Sequence, residues 1–243
     1  MRRAREPESS WTVTAVRRGV GSDRGLAVAQ RAFATDDFSV SGQSSVGKQT
    51  QANHQYGRTM MRRVTAGLFY SLDGVVEAPH VWQYDSFDGE VGAEMTAMIG
   101  RTDTVLLGRV GYQEWSGYWP NADADDGFAK FINPVEKFVA SRTPTGDLEW
   151  QNSQLVDGSL DEFVAALREA DGGEISVCGG ISVVRHLLFA GLLDTLTLIV
   201  HPVIAGAGRH LFEPDDPATR LTLDDARRTT KGNTILSYRR RSG

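Results

Sequence analysis

Glu174-Ile175-Ser176-Val177-Cys178-Gly179-Gly180 is an apolar, β-rich run of strand length that stops at a pair of glycines. Behind it an apolar stretch through Leu193 has helical character, and Thr195 to His201 reads as strand again. Strand, glycine, helix, strand is the pattern of a βαβ unit, whose two strands lie parallel in one sheet. The pattern recurs upstream, where Thr104-Val105-Leu106-Leu107 ends at Gly108-Arg109 and a short helix follows toward Trp115.

The flanking sequence extends this alternation. Val64 to Tyr70 reads as a first strand that closes on the turn signal Ser71-Leu72-Asp73-Gly74. Residues 75–88 read as a loop. Glu90 to Ile99 reads as a helix with Val91, Met95, Met98 and Ile99 on one face. Residues 117–135, with Pro120, Asn121 and an acidic cluster, read as loop, and Lys137 to Ser141 as strand. Leu160 to Ala170 reads as a helix, with Phe163, Ala166, Leu167 and Ala170 at helical spacing. Leu221 to Thr229 and Asn233 to Arg240 read as a closing antiparallel pair around Lys231-Gly232. The order predicts a three-layer α/β domain whose mixed, mostly parallel sheet is flanked by helices and ends in an antiparallel C-terminal edge.

This domain is expected over residues 60–243. Residues 1–59 differ in kind: nine Lys/Arg against five Asp/Glu, no isoleucine and a single leucine, Leu26. Such a segment buries too little apolar surface to offset the entropy of ordering, so a poorly ordered extension is expected. Met60 and Met61, at the onset of dense apolar patterning, stand as alternative starts. Within the extension, Gly42-Gln43-Ser44-Ser45-Val46-Gly47-Lys48-Gln49-Thr50 nearly spells a phosphate-binding loop. Gln49 occupies the place of the Mg²⁺-binding hydroxyl, and no buried strand precedes it, so no nucleotide site is assigned there.

Composition narrows the function. With 243 residues, 40% hydrophobic and 23% charged, the chain can bury a sizeable core. A net charge of −5 argues against nucleic-acid binding through overall charge. The sole cysteine, Cys178, excludes an internal disulfide framework and fits a reducing, cytoplasmic setting. No run approaches the ~20 apolar residues that span a bilayer, so no membrane partner is expected. His80, His186, His201 and His210 show no metal-ligand spacing, and no metal site is expected.

The chemistry is expected at the two strand–glycine–helix junctions. A glycine that opens a helix exposes unpaired backbone N–H groups at a positive dipole end and lets a phosphate approach closely. Two such junctions suggest a pyrophosphate lying between two helix N-termini. Neither matches the Gly-x-Gly-x-x-Gly fingerprint, and the alternative is tight helix–strand packing without a ligand.

From about Arg62 to Arg241 the chain resembles the dihydrofolate reductase fold. The matching pieces are Ser71-Leu72-Asp73-Gly74, Gly108-Arg109, Ser141-Arg142 and Gly179-Gly180, each at the end of its strand. The stretch from Asp194 to Phe212, with Pro202-Val203-Ile204-Ala205-Gly206-Ala207-Gly208-Arg209-His210-Leu211-Phe212, resembles the reductase half of the bifunctional riboflavin-biosynthesis deaminase-reductases, the RibD C-terminal domain family. The His-x-Glu and Cys-x-x-Cys set of the zinc-deaminase half is absent from the sequence.

The resemblance implies NADPH as cofactor and hydride transfer to a small heterocyclic or carbonyl substrate. Gly108 and Arg109 would meet the cofactor phosphates, Ser141 and Arg142 the adenosine 2′-phosphate, and Gly179 and Gly180 the pyrophosphate. An arginine fork suits a phosphate dianion, which favours NADPH over NADH. Asp73 is the candidate for substrate contact. Glu94, with Glu90 a turn earlier, falls near the carboxylate that helps protonate the pterin in dihydrofolate reductase. The activity implied is that of 5-amino-6-(5-phosphoribosylamino)uracil reductase, whose ribosylaminopyrimidine phosphate is reduced to the ribitol form. The alternatives are a dihydrofolate reductase, which would need Glu90 or Glu94 in the pocket, and a non-catalytic dimeric ligand-binding protein on the same fold. The family places a basic and a small residue after Ser-Leu-Asp-Gly; here the chain runs Val75-Val76-Glu77. A homodimer is expected through Thr195–Val200 and Pro202–Phe212.

Overall fold

The computed structural model describes residues 61–123, 126–143 and 146–240. The expected extension 1–59, with its phosphate-loop-like stretch, lies outside the described residues, as does Met60.

The strands are β1 (Val64–Tyr70), β2 (Thr102–Gly108), β3 (Glu136–Ala140), β4 (Ser153–Leu155), β5 (Glu174–Cys178), β6 (Thr195–Val200), β7 (Leu221–Arg228) and β8 (Thr234–Arg240). They form one sheet in the order β4-β3-β2-β5-β1-β6-β8-β7. Pairing is parallel from β4 through β6. β8 lies antiparallel to both β6 and β7, which gives the expected antiparallel edge. β4 is an addition to the expected order.

The helices between them are α1 (Pro79–Trp82), α2 (Gly89–Ile99), α3 (Arg109–Ser116), α4 (Gly127–Ile132), α5 (Leu160–Glu169) and α6 (Ile181–Ala190). Two stretches expected to be loop are partly helical. Proline at the first position starts α1. In 117–135, Asp126 Oδ1 accepts from Phe128 N at 2.8 Å and Ala129 N at 3.0 Å, so one of the acidic residues that suggested a loop is the cap of α4. Conversely α6 stops at Ala190, short of the expected Leu193. Gly191 turns left-handed at φ 76°, and the Leu192 N–H bonds back to Leu187 O at 2.8 Å. Beyond α4, the buried ammonium of Lys137 donates to the carbonyls of Ile132, Asn133 and Val135, at 2.7–3.0 Å.

Alternation along the strands divides the core in two. Val64, Ala66, Leu106 and Val177 face α5 and α6, where they meet Val164, Val184 and Leu187. Val105, Leu107 and Val139 face the other way, against Tyr112 of α3 and Phe128 and Ile132 of α4. Ile199 and Ile235 meet Val91 of α2 on that same second side. Each such side chain, fully buried, contributes about 1.5–3 kcal/mol. Thus β2 and β5 are neighbours, yet the helix after β2 goes to one face and the helix after β5 to the other. Such a divergence opens a crevice at the carboxyl ends of the strands.

Candidate functional site

The crevice is built by the two junctions. Gly108 is the N-cap of α3 and Gly180 that of α6; neither helix start has a side-chain cap or an acidic residue in its first turn. Their N–H groups are therefore left to the crevice. The junctions also touch each other. A Cβ on Gly111 would lie 1.7 Å from the Gly179 carbonyl oxygen, and one on Gly180 would lie 2.9 Å from Gly108 N. Gly179 itself sits at φ 54°, in the left-handed region. Gly111 is a packing requirement that sequence reading missed; its signal was a glycine inside a helix, where alanine is more stable.

A cleft of about 1000 Å³ runs along these junctions. Gly108, Arg109, Ser141, Arg142, Gly179 and Gly180, the six residues expected at the cofactor, all line it. Arg109 Nη1 donates to Gln113 Oε1 at 2.8 Å, one turn along α3. Ser141 Oγ donates to the Thr143 carbonyl at 2.7 Å and so shapes the turn that presents Arg142.

On the α2–α4 side the cleft floor is made by Gly67 and Phe69 of β1, Ser176 and Cys178 of β5 and Ile199 of β6. Met95, Met98 and Ile99 of α2 form one wall; Trp115, Trp119, Phe128 and Phe131 form the other. Burial pushes the Cys178 thiol up to about 11, which makes it an inert packing group. At the rim, Glu77 accepts from Arg209 Nε at 2.6 Å and from Arg209 N at 3.0 Å. Burial works to raise the Glu77 carboxyl, yet these two bonds hold it below its usual range. Burial lowers the imidazole of His80, against the opposing charge of Glu114 across the cleft.

The two expected catalytic carboxylates lie elsewhere; neither Asp73 nor Glu94 lines the cleft. Asp73 accepts from Ser71 Oγ at 2.6 Å, Ala205 N at 2.9 Å and Gly206 N at 2.8 Å. The Ser71 hydroxyl foremost, then the two N–H groups, pull its carboxyl down to about 2. It ties the first turn to the segment after β6. Glu94 pairs with Arg227 of β7 at 2.5 Å, and Glu90 accepts from Thr230. Both glutamates point to the β7–β8 hairpin because Asp88 fixes the start of α2 against it. Asp88 Oδ1 accepts from Val91 N at 3.0 Å, while Oδ2 accepts from Thr229 Oγ1 at 2.6 Å, Lys231 N at 3.0 Å and Asn233 Nδ2 at 3.1 Å.

Beside this network, His201 is fully buried at the end of β6. The Gln83 amide N–H donates to its Nε2 at 3.0 Å. The Ser86 hydroxyl donates to Gln83 O at 2.6 Å and so accepts from His201 Nδ1, also at 2.6 Å. Neutral imidazole satisfies every partner, and burial lowers its pKa to about 4. Among the described residues no group of three or more His, Cys, Asp or Glu is placed to hold a metal, and no helix is long and apolar enough to cross a membrane.

Fold and cleft together define an α/β protein with a crevice between two uncapped helix starts at a topological switch point. The chain belongs to the RibD C-terminal domain family, whose pattern it matches over residues 62–235. It is 28% identical over 181 residues to the Bacillus subtilis (strain 168) protein YyaP, covering 73% of this chain and 94% of that one. Its fold is that of a riboflavin biosynthesis protein from Shewanella sp. PV-4, with a TM-score of 0.61, 20% identity and coverage of 74% and 99% of the two chains. The Thermotoga maritima diaminohydroxyphosphoribosylaminopyrimidine deaminase/5-amino-6-(5-phosphoribosylamino)uracil reductase shares it at a TM-score of 0.51 and 12% identity, over 74% of this chain and 57% of that one. The domain is thus a RibD C-terminal, reductase-like domain.

Proposed function

We propose that the protein is an NADPH-dependent reductase that delivers hydride to a small heterocyclic or carbonyl substrate, as a relative of the riboflavin-pathway pyrimidine reductases. The observation that carries this reading is the pair of touching, uncapped helix starts at Gly108 and Gly179-Gly180, opening on one cleft beside Arg109 and Arg142. The donor set fits a dinucleotide phosphate. Backbone N–H groups of α3 and α6 would hold the pyrophosphate, and Arg109, Arg142 and Ser141 the 2′-phosphate. NADPH, when bound, supplies the hydride. The chain's own contribution is to align cofactor and acceptor over the small floor residues and to exclude water with the Met and Trp walls. The dihydrofolate reductase reading finds no support, since Glu90 and Glu94 are engaged by the hairpin.

Fluorescence titration with NADPH and NADH tests the cofactor. Arg142→Ala and Arg109→Ala are expected to weaken NADPH about ten- to hundredfold, the equivalent of a charge-assisted bond of about 1.5–3 kcal/mol, and NADH far less. Equal losses for both cofactors would remove these arginines from the 2′-phosphate.

We also propose a homodimer. β6 is enclosed by β1 and β8, so its edges are taken, and the segment after it carries the contact. Ile204 and Leu72 are 74% and 61% exposed, on segments joined by the bond from Leu72 N to Val203 O at 2.8 Å. Light scattering should find a dimer that Ile204→Asp shifts to monomer; a monomeric parent chain would refute it.

A further inference from the structure

We propose that the substrate end of the cleft, between α2 and α3–α4, selects an uncharged planar ring and rejects phosphorylated or carboxylated ones; this rests on the reductase reading above. The floor is the first argument. Gly67, Ser176 and Cys178 are small residues on the adjacent strands β1 and β5, and they leave a shallow trough between apolar walls. A Cβ on Gly67 would fall 2.0 Å from Met98 Cε, so the glycine is what lets the Met98 thioether lie over β1. Methionines at 95 and 98 adapt to the outline of a ring, and the indoles opposite offer flat apolar contact.

Charge is the second argument. A free cation would favour an anionic substrate here, and the arginine at this rim is engaged. Arg209 is bound to Glu77. Glu114 also faces the cleft and makes no ion pair among the described residues, so its charge repels a phosphate. Arg109 and Arg142 remain for the cofactor phosphates. The chemistry served is two-electron reduction of a C=N or C=O bond. The acceptor carbon takes the hydride released as NADPH becomes NADP⁺, and its nitrogen or oxygen takes a proton from water.

The test uses the full chain, with and without saturating NADP⁺, and calorimetry on two matched pairs: ribosylaminouracil against its ribose phosphate, and naphthoquinone against naphthoquinone sulfonate. The uncharged member of each pair is expected to bind at least tenfold more tightly. Equal or tighter binding of the anion, or no binding by either member, would overturn the proposal. A parallel NADPH titration judges the reductase reading separately, because the pair affinities are also read on the free chain. Glu77→Gln frees Arg209 and should narrow the discrimination about tenfold; Arg209→Gln strands Glu77 and should widen it. Discrimination unmoved in both variants, with melting curves that show folded protein, would sink the role of the rim charges.

Discussion

At the starts of α2, α4 and α5 the side chains of Asp88, Asp126 and Ser159 take up backbone N–H groups, whereas α3 and α6 begin on glycines that take up none. A cap is worth about 0.5–2 kcal/mol, so the chain forgoes that stabilisation at the two touching helix starts of the cleft, while Ser159, which also lines it, keeps its cap. The contrast is sharpest between α2 and α6. At α2 a single carboxylate serves four donors from the helix and the hairpin. At α6 the donors face open space and the neighbouring glycines bring a second helix start into contact. The saturated start at α2 holds the fold, and the open starts at Gly108 and Gly180 are those to which the proposed cofactor is assigned.

The largest expected effect lies on the saturated side. Asp88→Ala removes the α2 cap and the acceptor shared by Thr229 Oγ1, Lys231 N and Asn233 Nδ2, so unfolding free energy should fall by about 2–4 kcal/mol in denaturant titrations. NADPH affinity of the folded fraction should stay as it was; a loss there would erase the distinction between the two kinds of helix start. Gly111→Ala probes the open side. Its methyl group must push α3 from the Gly179 carbonyl, at about 1–3 kcal/mol in stability, and should weaken NADPH at least tenfold. Unchanged cofactor binding would show that contact between the junctions is not what shapes the site. The smallest effect is one of pH. The folded pKa of His201, about 4, lies below the ordinary 6.5, so the unfolded chain binds the proton first on acidification. The stabilisation is complete above pH 6.5 and is lost as pH falls toward 4. Between pH 7 and 5.5 the loss should be about 1 kcal/mol, and a His201→Gln variant should show a flatter profile.

What could be read from the sequence was what is local in it. The junctions at Gly108-Arg109 and Gly179-Gly180 show themselves because strand, glycine and helix follow within a few residues. The fold order was legible for the same reason, apart from the short helices α1 and α4 in stretches read as loop and β4, whose Ser153-Gln154-Leu155 is too short and polar to announce a strand. The partners of Asp73 and Glu94 were not legible because they are remote: Ala205 and Arg227 lie 132 and 133 positions away. A carboxylate in a turn or on a helix reads the same whether it meets a ligand or a distant backbone N–H. Likewise the pairing of Glu77 with Arg209 turned an apparent departure from the family pattern into half of an ion pair.

The strand order also bears on how the chain is made. β1 sits between β5 and β6, and its first residue pairs with Ile175 and its second with Thr195, in each case more than a hundred residues later. At a synthesis rate of about 5–20 residues per second, β1 waits for roughly 5–20 s beyond the ribosome before either neighbour exists. β2 and β3 pair over a short span in that interval, but the sheet cannot close around them until β5 enters between β2 and β1. Released fragments ending before residue 174 should therefore expose the apolar run Val64–Tyr70 to protease, while fragments extending past residue 200 should protect it.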